Sequence, residues 1–425
     1  MRKIAFIIIA LFFALPLSAQ SLDRDRAKSV YGLYDFTTPR TSAVAPEGYK
    51  AVYISHYGRH GARHLYTNAE YELLYSTLAA AHEAKALTEV GERVWACVSE
   101  LYPHFAGRGA DLTQYGQWQH RMLAERMCKS FPELFGAEAS VFALSSVKPR
   151  CIMSMLAFCS SLAEHSNAKI VTDVNTSAMH IFVPYQQRFN PQYNEKDSDW
   201  RTIVESYFDK NFDKEGFFGR LFKASFRKSI SDEMKFAQTL YYFDAHLGGT
   251  DFANHTVGYA FTDEEYRTLY AIDNIKFFLR RGWGIDKECN RSVFYAKETV
   301  QDILNKAEED LASGEKRVRL RFGHDGALAL LLAFLEVDSW GKRVESVDKV
   351  ESVWHTNEIT MASNFRFVFY SNGKNILVKA QFNENDVRLP IKATHGSFYR
   401  WEVLKKFLTN KVEKASQTIN QKNRN

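Results

Sequence analysis

The stretch AVYISHYGRHGARH, residues 51–64, joins an apolar run to a dense group of arginine and histidine side chains. Its apolar beginning, residues 51–55, predicts a strand buried within a sheet. Arg59, His60 and Arg63 follow where that strand would end, around Gly61. Because ligands of open α/β sheets bind outside the carboxyl ends of the strands, this loop is a candidate functional site.

Outward from this stretch, three more runs have the composition of buried strands: Ser140–Ser145, Lys169–Asp173 and Val318–Phe322. Helical periodicity is found between and after them, at residues 68–85, 90–105, 112–129, 150–163, 300–311 and 327–335. Strands that alternate with helices predict an α/β fold with a mainly parallel sheet flanked by helices. Two later runs, 365–370 and 376–382, flank the Asn372-Gly373 pair and predict a terminal antiparallel hairpin.

The first 19 residues predict a signal peptide. Arg2 and Lys3 precede an apolar run that ends at Leu17, and small residues follow as a cleavage site. We therefore expect export to the periplasm or the exterior. No second long apolar stretch follows, so no stable membrane insertion is expected after cleavage.

The remaining chain divides by composition. Residues between about 184 and 289 are rich in Phe, Tyr, Lys and Asp and lack strand-like runs, which predicts an inserted, mostly helical domain that shapes specificity. The end of the chain is polar and is expected to fray after Thr409. The predicted boundaries are 20–183 and 290–412 for the α/β core, 184–289 for the insertion and 413–425 for a polar tail.

Charge and cysteine content exclude several classes of protein. The formal net charge of +5, which becomes +3 if Arg2 and Lys3 are removed, is too small to indicate a nucleic-acid partner. The cysteines include no Cys-x-x-Cys pair, so zinc is not indicated, but one or two disulfides could form in an oxidising compartment. The five cysteines are Cys97, Cys128, Cys151, Cys159 and Cys289. The oligomeric state is left open.

Polar clusters follow three of the predicted strands. If these strands are neighbours, their ends converge on one pocket. Guanidinium groups donate in pairs to phosphate oxygens, so three arginines beside histidines favour a phosphoryl group as ligand. The clustered residues are Arg59, His60, Arg63, Lys148, Arg150, His324 and Asp325.

These residue types suffice for a phosphoryl transfer. Neutral His60 can attack phosphorus and carry the phosphoryl group as a covalent intermediate. The arginines and His324 would stabilise the charge on the phosphoryl oxygens. Asp325 could protonate the leaving alcohol and later deprotonate water, which predicts activity weighted towards acid pH. Because the arginines supply the positive charge, we expect neither a metal nor another cofactor.

Several motifs together resemble one known family. In order and spacing they are similar to the histidine acid phosphatases, branch 2 of the histidine phosphatase superfamily, and residues 45–65 look like the bacterial relatives of the multiple inositol polyphosphate phosphatases. The matching motifs are Arg59-His60-Gly61-x-Arg63, Leu112-Thr113-x-x-Gly116, Ser145-Ser146-x-x-x-Arg150 and His324-Asp325.

This resemblance implies a fold, a site and a reaction. It implies a phosphoglycerate mutase-like α/β core, a helical domain that shapes specificity, a nucleophile at His60 and a proton donor at Asp325. The substrate would be a small-molecule phosphate ester, and inositol polyphosphates such as phytate are the leading candidates. The implied phosphate-binding residues are Arg59, Arg63, Arg150 and His324.

Two departures from the family pattern leave the substrate open. The commoner motif continues with Pro-Thr where this chain has Leu65-Tyr66, so one contact is missing or replaced. The inositol polyphosphate phosphatases typically have His-Ala-Glu where this chain has His324-Asp325-Gly326. The acid at Asp325 instead resembles that of bacterial phytases and glucose-1-phosphatases. A sugar-phosphate or broad-specificity acid phosphatase is therefore one alternative, and a non-catalytic phosphate-binding protein is another.

Other polar residues have competing interpretations. His56 and His64 are expected to be structural, and Arg319 and Arg321 are expected to pair with acids on one face of their strand. The basic runs 223–228 and 277–283 are either solvated helix faces or extra positive charge near the pocket.

Overall fold

A mixed eight-stranded sheet organises the protein. The structure, a computed structural model, describes residues 23–190, 200–285 and 291–422, and the predicted signal peptide lies outside the described residues. The strands are β1 (Lys50–Arg59), β2 (Ser140–Ser145), β3 (Lys169–Val174), β4 (Arg317–Gly323), β5 (Asn364–Ser371), β6 (Ile376–Phe382), β7 (Asn385–Asp386) and β8 (Phe398–Arg400).

The sheet has a parallel half and an antiparallel half. The spatial order is β3-β2-β4-β1-β5-β6-β7, and β8 pairs with β6. The first four strands in this order run parallel to one another, whereas β5 to β8 pair antiparallel. The predicted α/β fold, its parallel core and its terminal hairpin are thereby confirmed.

Strand β4 lies between β1 and β2, which fixes where their carboxyl ends meet. Arg59 at the end of β1 is in register with Gly323 of β4, and Ser145 at the end of β2 is in register with Phe322. Nearly every residue of β1 is buried, as expected of a central strand covered on both faces. The polar clusters that follow these three strands are therefore neighbours.

Helices cover both faces of the sheet. On one face α3 and α4 pack on apolar side chains of β1, β2 and β4, and on the other face α11, α12 and α13 enclose the larger hydrophobic cluster. The helices are α1 (Asn68–Glu83), α2 (Glu89–Phe105), α3 (Gln114–Ser130), α4 (Pro149–His165), α5 (Met179–Phe182), α6 (Trp200–Asn211), α7 (Lys214–Leu221), α8 (Ala224–Arg227), α9 (Glu233–Leu247), α10 (Asp263–Arg281), α11 (Lys297–Ser313), α12 (Asp325–Leu335) and α13 (Trp401–Lys422).

The segment predicted as an insertion is helical in its described part. Residues 184–190 and 200–285 hold α6 to α10 and contain no named strand. These helices do not form a separate core: α7 packs on α2, α9 packs on α1, and their apolar side chains belong to the larger hydrophobic cluster. The division into two domains at residues 184 and 289 stays a prediction.

The expectation of a frayed end after Thr409 is wrong for the described residues. Helix α13 continues to Lys422. The sequence there is mostly polar, but Val412, Ala415 and Ile419 recur at helical spacing and are buried. Packing of this narrow apolar stripe stabilises the last turns of the helix.

Two further expectations concern cysteines and membranes. Cys97, Cys128, Cys151 and Cys159 are free thiols, so no disulfide joins the four described cysteines. Cys289 lies outside the described residues. Within the described ranges, no helix combines the length and apolarity needed to cross a bilayer.

Candidate active site

A cavity of about 370 Å³ opens at the carboxyl ends of β1, β2 and β4. His60, Arg63, Arg150, His324 and Asp325 all line it. Arg59 lies just beneath, fully buried, with its Nη2 3.0 Å from Oδ2 of Asp325. The structure therefore brings together the six residues that were predicted to be catalytic or phosphate-binding, and Lys148 of the same predicted cluster also lines the cavity.

Close backbone contact holds the loop that follows β1. An added Cβ on Gly61 would lie 2.3 Å from the carbonyl oxygen of Gly116 in α3. The two backbone segments can approach this closely only because both residues are glycine. Thr113 accepts from the Gly116 N–H and donates to the carbonyl of Ala62, at 3.1 Å each. The Leu112-Thr113-x-x-Gly116 motif thus joins the helix start to the His60 loop.

The imidazole of His60 is fixed in one tautomer. Its Nδ1 lies 2.9 Å from the carbonyl oxygen of Gly61, and because a carbonyl only accepts, Nδ1 carries the proton. The Nε2 lone pair is then free. Burial, reinforced by Arg150 and Arg59, holds the pKa of His60 well below its ordinary value. The side chain is therefore neutral throughout the physiological pH range, with an unprotonated Nε2.

Arg59 is held from three directions. Its Nη1 donates to the carbonyls of Val30 and Ile359, at 2.7 Å each, while Nη2 pairs with Asp325. Burial lowers the pKa of Arg59 to about 10, so the guanidinium stays charged. Burial opposes ionisation of Asp325, but Arg59 and Arg63 outweigh it and lower the pKa of the carboxyl to about 2.

Arg63 and Arg150 present buried donors without protein partners. Arg63 donates through Nη1 to the Tyr31 hydroxyl at 3.1 Å and to the His64 carbonyl at 2.7 Å. Among the described residues, the Nε atoms of Arg63 and Arg150 have no hydrogen-bond partner. Buried donors of this kind require an acceptor, and phosphate oxygens fit them.

His324 lines the cavity beside Arg150. It precedes α12 as its N-cap residue, and its Nδ1 accepts from Nη2 of Arg150 at 3.3 Å. Its Nε2 must then carry the proton and lies 3.0 Å from the Ser146 hydroxyl. Burial, with Arg150, lowers the pKa of His324 to about 3. His324 is therefore neutral, and its single N–H donates to the Ser146 hydroxyl.

The interpretations left open for the basic runs are now resolved. Phe277, Arg280 and Arg281 line the cavity, so the run 277–283 contributes positive charge to the pocket. In the run 223–228, Arg227 instead pairs with Glu215 and Glu233. That run is an ordinary charged helix surface.

The polar residues expected to be structural lie outside this cavity. His56 packs against the rings of Phe158 and Phe322, and Nδ1 of His64 hydrogen-bonds the Tyr71 hydroxyl at 3.3 Å. As predicted, the strand arginines pair with acids on one face: Arg319 with Asp310 and Arg321 with Asp302, both at 2.6 Å.

Several supporting residues escaped the sequence analysis. Val30, Tyr31 and Ile359 hold the arginines, yet two of them act through backbone carbonyls that no sequence motif marks. Ser146 was noted only as part of a spacing. Tyr185, on the far wall of the cavity, stacks on Arg281 with its ring centroid 3.8 Å from the guanidinium carbon.

A buried histidine and three arginines at the carboxyl ends of a parallel sheet are the arrangement expected of a histidine phosphatase. The model of the histidine phosphatase superfamily (branch 2) matches residues 58–383, and the chain belongs to this family. The predicted family is thereby confirmed. A comparison with curated protein sequences found no match.

Solved structures share the fold at low sequence identity. The multiple inositol polyphosphate phosphatase of Bifidobacterium longum, in complex with inositol hexasulfate, has a TM-score of 0.75 and 16% identity, covering 90% of this chain and 97% of that one. The phytase from D. castellii has a TM-score of 0.68 and 14% identity, with coverages of 92% and 85%. Hafnia alvei phytase in complex with tartrate has a TM-score of 0.55 and 14% identity, covering 87% of this chain and 99% of that one.

Proposed function

We propose that the chain is an exported acid phosphomonoesterase that works through a phosphohistidine intermediate on inositol polyphosphates such as phytate. The observation that carries the proposal is the state of His60. Its proton is held on Nδ1 by Gly61, and its free Nε2 belongs to a buried ring lining a cavity rich in arginine. The proposed nucleophile, His60, and the anion-binding side chains of Arg63 and Arg150 thus line the same cavity.

In the first step, Nε2 of His60 attacks the phosphorus of the ester. The Nε2–P bond forms as the bond from phosphorus to the ester oxygen breaks, and Asp325 gives its proton to the departing oxygen. The arginines stabilise the charge on the other phosphoryl oxygens, and His324 contributes once its N–H turns from the Ser146 hydroxyl to one of these oxygens. In the second step, Asp325 takes a proton from water as the water oxygen attacks phosphorus and the Nε2–P bond breaks.

The charge of Asp325 sets the direction of the pH dependence. Without substrate its pKa is about 2, because Arg59 and Arg63 stabilise the carboxylate against the effect of burial. A phosphoryl dianion among the same arginines offsets their charge and repels the carboxylate, so the pKa rises on binding. Turnover requires the protonated acid and therefore falls as pH increases through this raised value.

The far wall of the cavity supports a substrate with several phosphates. Lys148, Arg280 and Arg281 add cationic groups beyond those around His60. One phosphate cannot engage all of them, whereas further phosphates on the same ring can. The solved relative from B. longum holds inositol hexasulfate, a mimic of such a molecule, in its complex.

Export is proposed from residues 1–19 alone. Their charged start, apolar run and small-residue end are typical of a cleaved leader. The exported protein would act in the periplasm or outside the cell, on a soluble phosphate ester.

The test is phosphate release by purified mature protein between pH 4 and pH 8. Wild type is compared with His60→Ala, and with His395→Ala as a control that removes an exposed histidine outside the cavity. We expect release from phytate to require His60 and to persist in His395→Ala, while His60→Ala still binds inorganic phosphate.

Other outcomes of this test assign the protein differently. Release from glucose 1-phosphate and an aryl phosphate but not phytate would move the protein to the sugar-phosphate class. Absence of any release would favour a phosphate-binding protein, and full activity of His60→Ala would refute the covalent mechanism.

A further inference from the structure

Tyr66 stands on the cavity wall where the commoner family motif has threonine. Its side chain is 56% exposed, but the backbone on both sides of it is held in place. Leu65 is fully buried, and its N–H donates to the Tyr71 hydroxyl at 2.9 Å. Thr67 and Glu70 form a capping box at the start of α1. These contacts therefore fix the backbone from which the Tyr66 ring projects onto the cavity wall.

The ring of Tyr66 contacts two of the arginines that face phosphate. The guanidinium carbons of Arg63 and Arg150 lie 5.5 and 5.8 Å from its centroid. Arg63 also lies over the buried Tyr31 at 5.0 Å. These distances allow cation–π attraction, which helps to orient the guanidinium groups. One side chain thus forms a wall beside both donors.

We infer that, given the proposed phosphatase function, Tyr66 is a specificity-determining residue that favours ring-shaped polyol phosphates over linear ones. Under the proposed function the arginines beside Tyr66 hold the scissile phosphate, so the exposed ring lines the same cavity as the ester bound to them. A cyclic polyol presents a flat face of C–H groups that covers the exposed aromatic ring. A short linear polyol covers less of it, and a threonine would offer little apolar area to either.

The test compares two monophosphates, myo-inositol 1-phosphate and glycerol 3-phosphate, so that extra phosphates do not contribute. The readout is the ratio of their kcat/KM values in wild type, Tyr66→Phe and Tyr66→Thr. Tyr259→Thr is the matched control, because Tyr259 also contacts an arginine, Arg93, but lies outside the cavity. Inhibition by inorganic phosphate is measured in each protein.

We expect wild type, Tyr66→Phe and Tyr259→Thr to share one preference for the cyclic ester, since each retains the aromatic ring at position 66. Tyr66→Thr should lower that preference by about three- to tenfold. An unchanged ratio in Tyr66→Thr would overturn the inference, including the case in which only phosphate inhibition weakens, because Tyr66 would then act on the arginines alone. If wild type hydrolyses neither these esters nor phytate, the proposed function itself fails, which is a distinguishable result.

Discussion

Replacement of Gly61 by alanine would place a methyl group where the protein has no room for one. The new Cβ would lie 2.3 Å from the carbonyl oxygen of Gly116 and 2.7 Å from its Cα. Such contacts need about 3 Å or more, and both partners are backbone, so the loop would have to move by close to 1 Å. His60 is the adjacent residue and would move with it.

A displacement of about 1 Å at a nucleophile can cost about a hundredfold in rate, or about 2.7 kcal/mol. Overpacking of the loop against α3 should also lower the free energy of unfolding by about 1–3 kcal/mol. The assay is kcat/KM with an aryl phosphate, together with thermal unfolding. Gly136→Ala is the control, because no heavy atom lies within 4 Å of its added Cβ. Wild-type kcat/KM in Gly61→Ala would refute the argument that this close approach positions His60.

Three further outcomes are expected. Asp325→Asn should slow esters with poor leaving groups most and flatten the decline of kcat with rising pH, which a pH series with alkyl and aryl phosphates would reveal. Tyr31→Phe removes one of the two acceptors of Arg63 Nη1, so the inhibition constant of inorganic phosphate should rise by about three- to tenfold, and unchanged inhibition would contradict a positioning role. Asp310→Asn weakens the charged hydrogen bonds that the buried Asp310 accepts from Arg317 and Arg319, and it should lower the free energy of unfolding in denaturant by about 2 kcal/mol. The arginines lower the pKa of Asp310, so the stabilisation is present above about pH 4 and decreases as pH falls below the unfolded-state value.

The sequence was enough to predict the parallel core and the residues that meet at the cavity. Buried strands have recognisable composition, and His60 and His324 follow two of them directly. The register of β1 and β4 then leaves little freedom in where those side chains meet. Motif and topology specify the same place, so the pocket could be predicted.

Other features depend on contacts that local patterns do not encode. The carbonyls of Val30 and Ile359 that hold Arg59 are backbone groups, identical in every residue type. The last turns of α13 rest on three apolar residues in a polar sequence, Val412, Ala415 and Ile419, so local composition suggested fraying. The effect of Tyr66 could not be derived either, because it depends on the three-dimensional proximity of Arg63 and Arg150.

The hydrogen-bond partners of Arg59 also affect the order in which the protein folds. Its two carbonyl partners lie 29 residues before it and 300 residues after it along the chain. Contacts between such distant positions form slowly, because the intervening chain must first become ordered. Until Ile359 arrives, the guanidinium cannot be buried with its partners satisfied, and an unsatisfied buried charge is strongly unfavourable. Phosphate binding should therefore be among the last properties that a refolding chain acquires, later than its helices and most of its hydrophobic core.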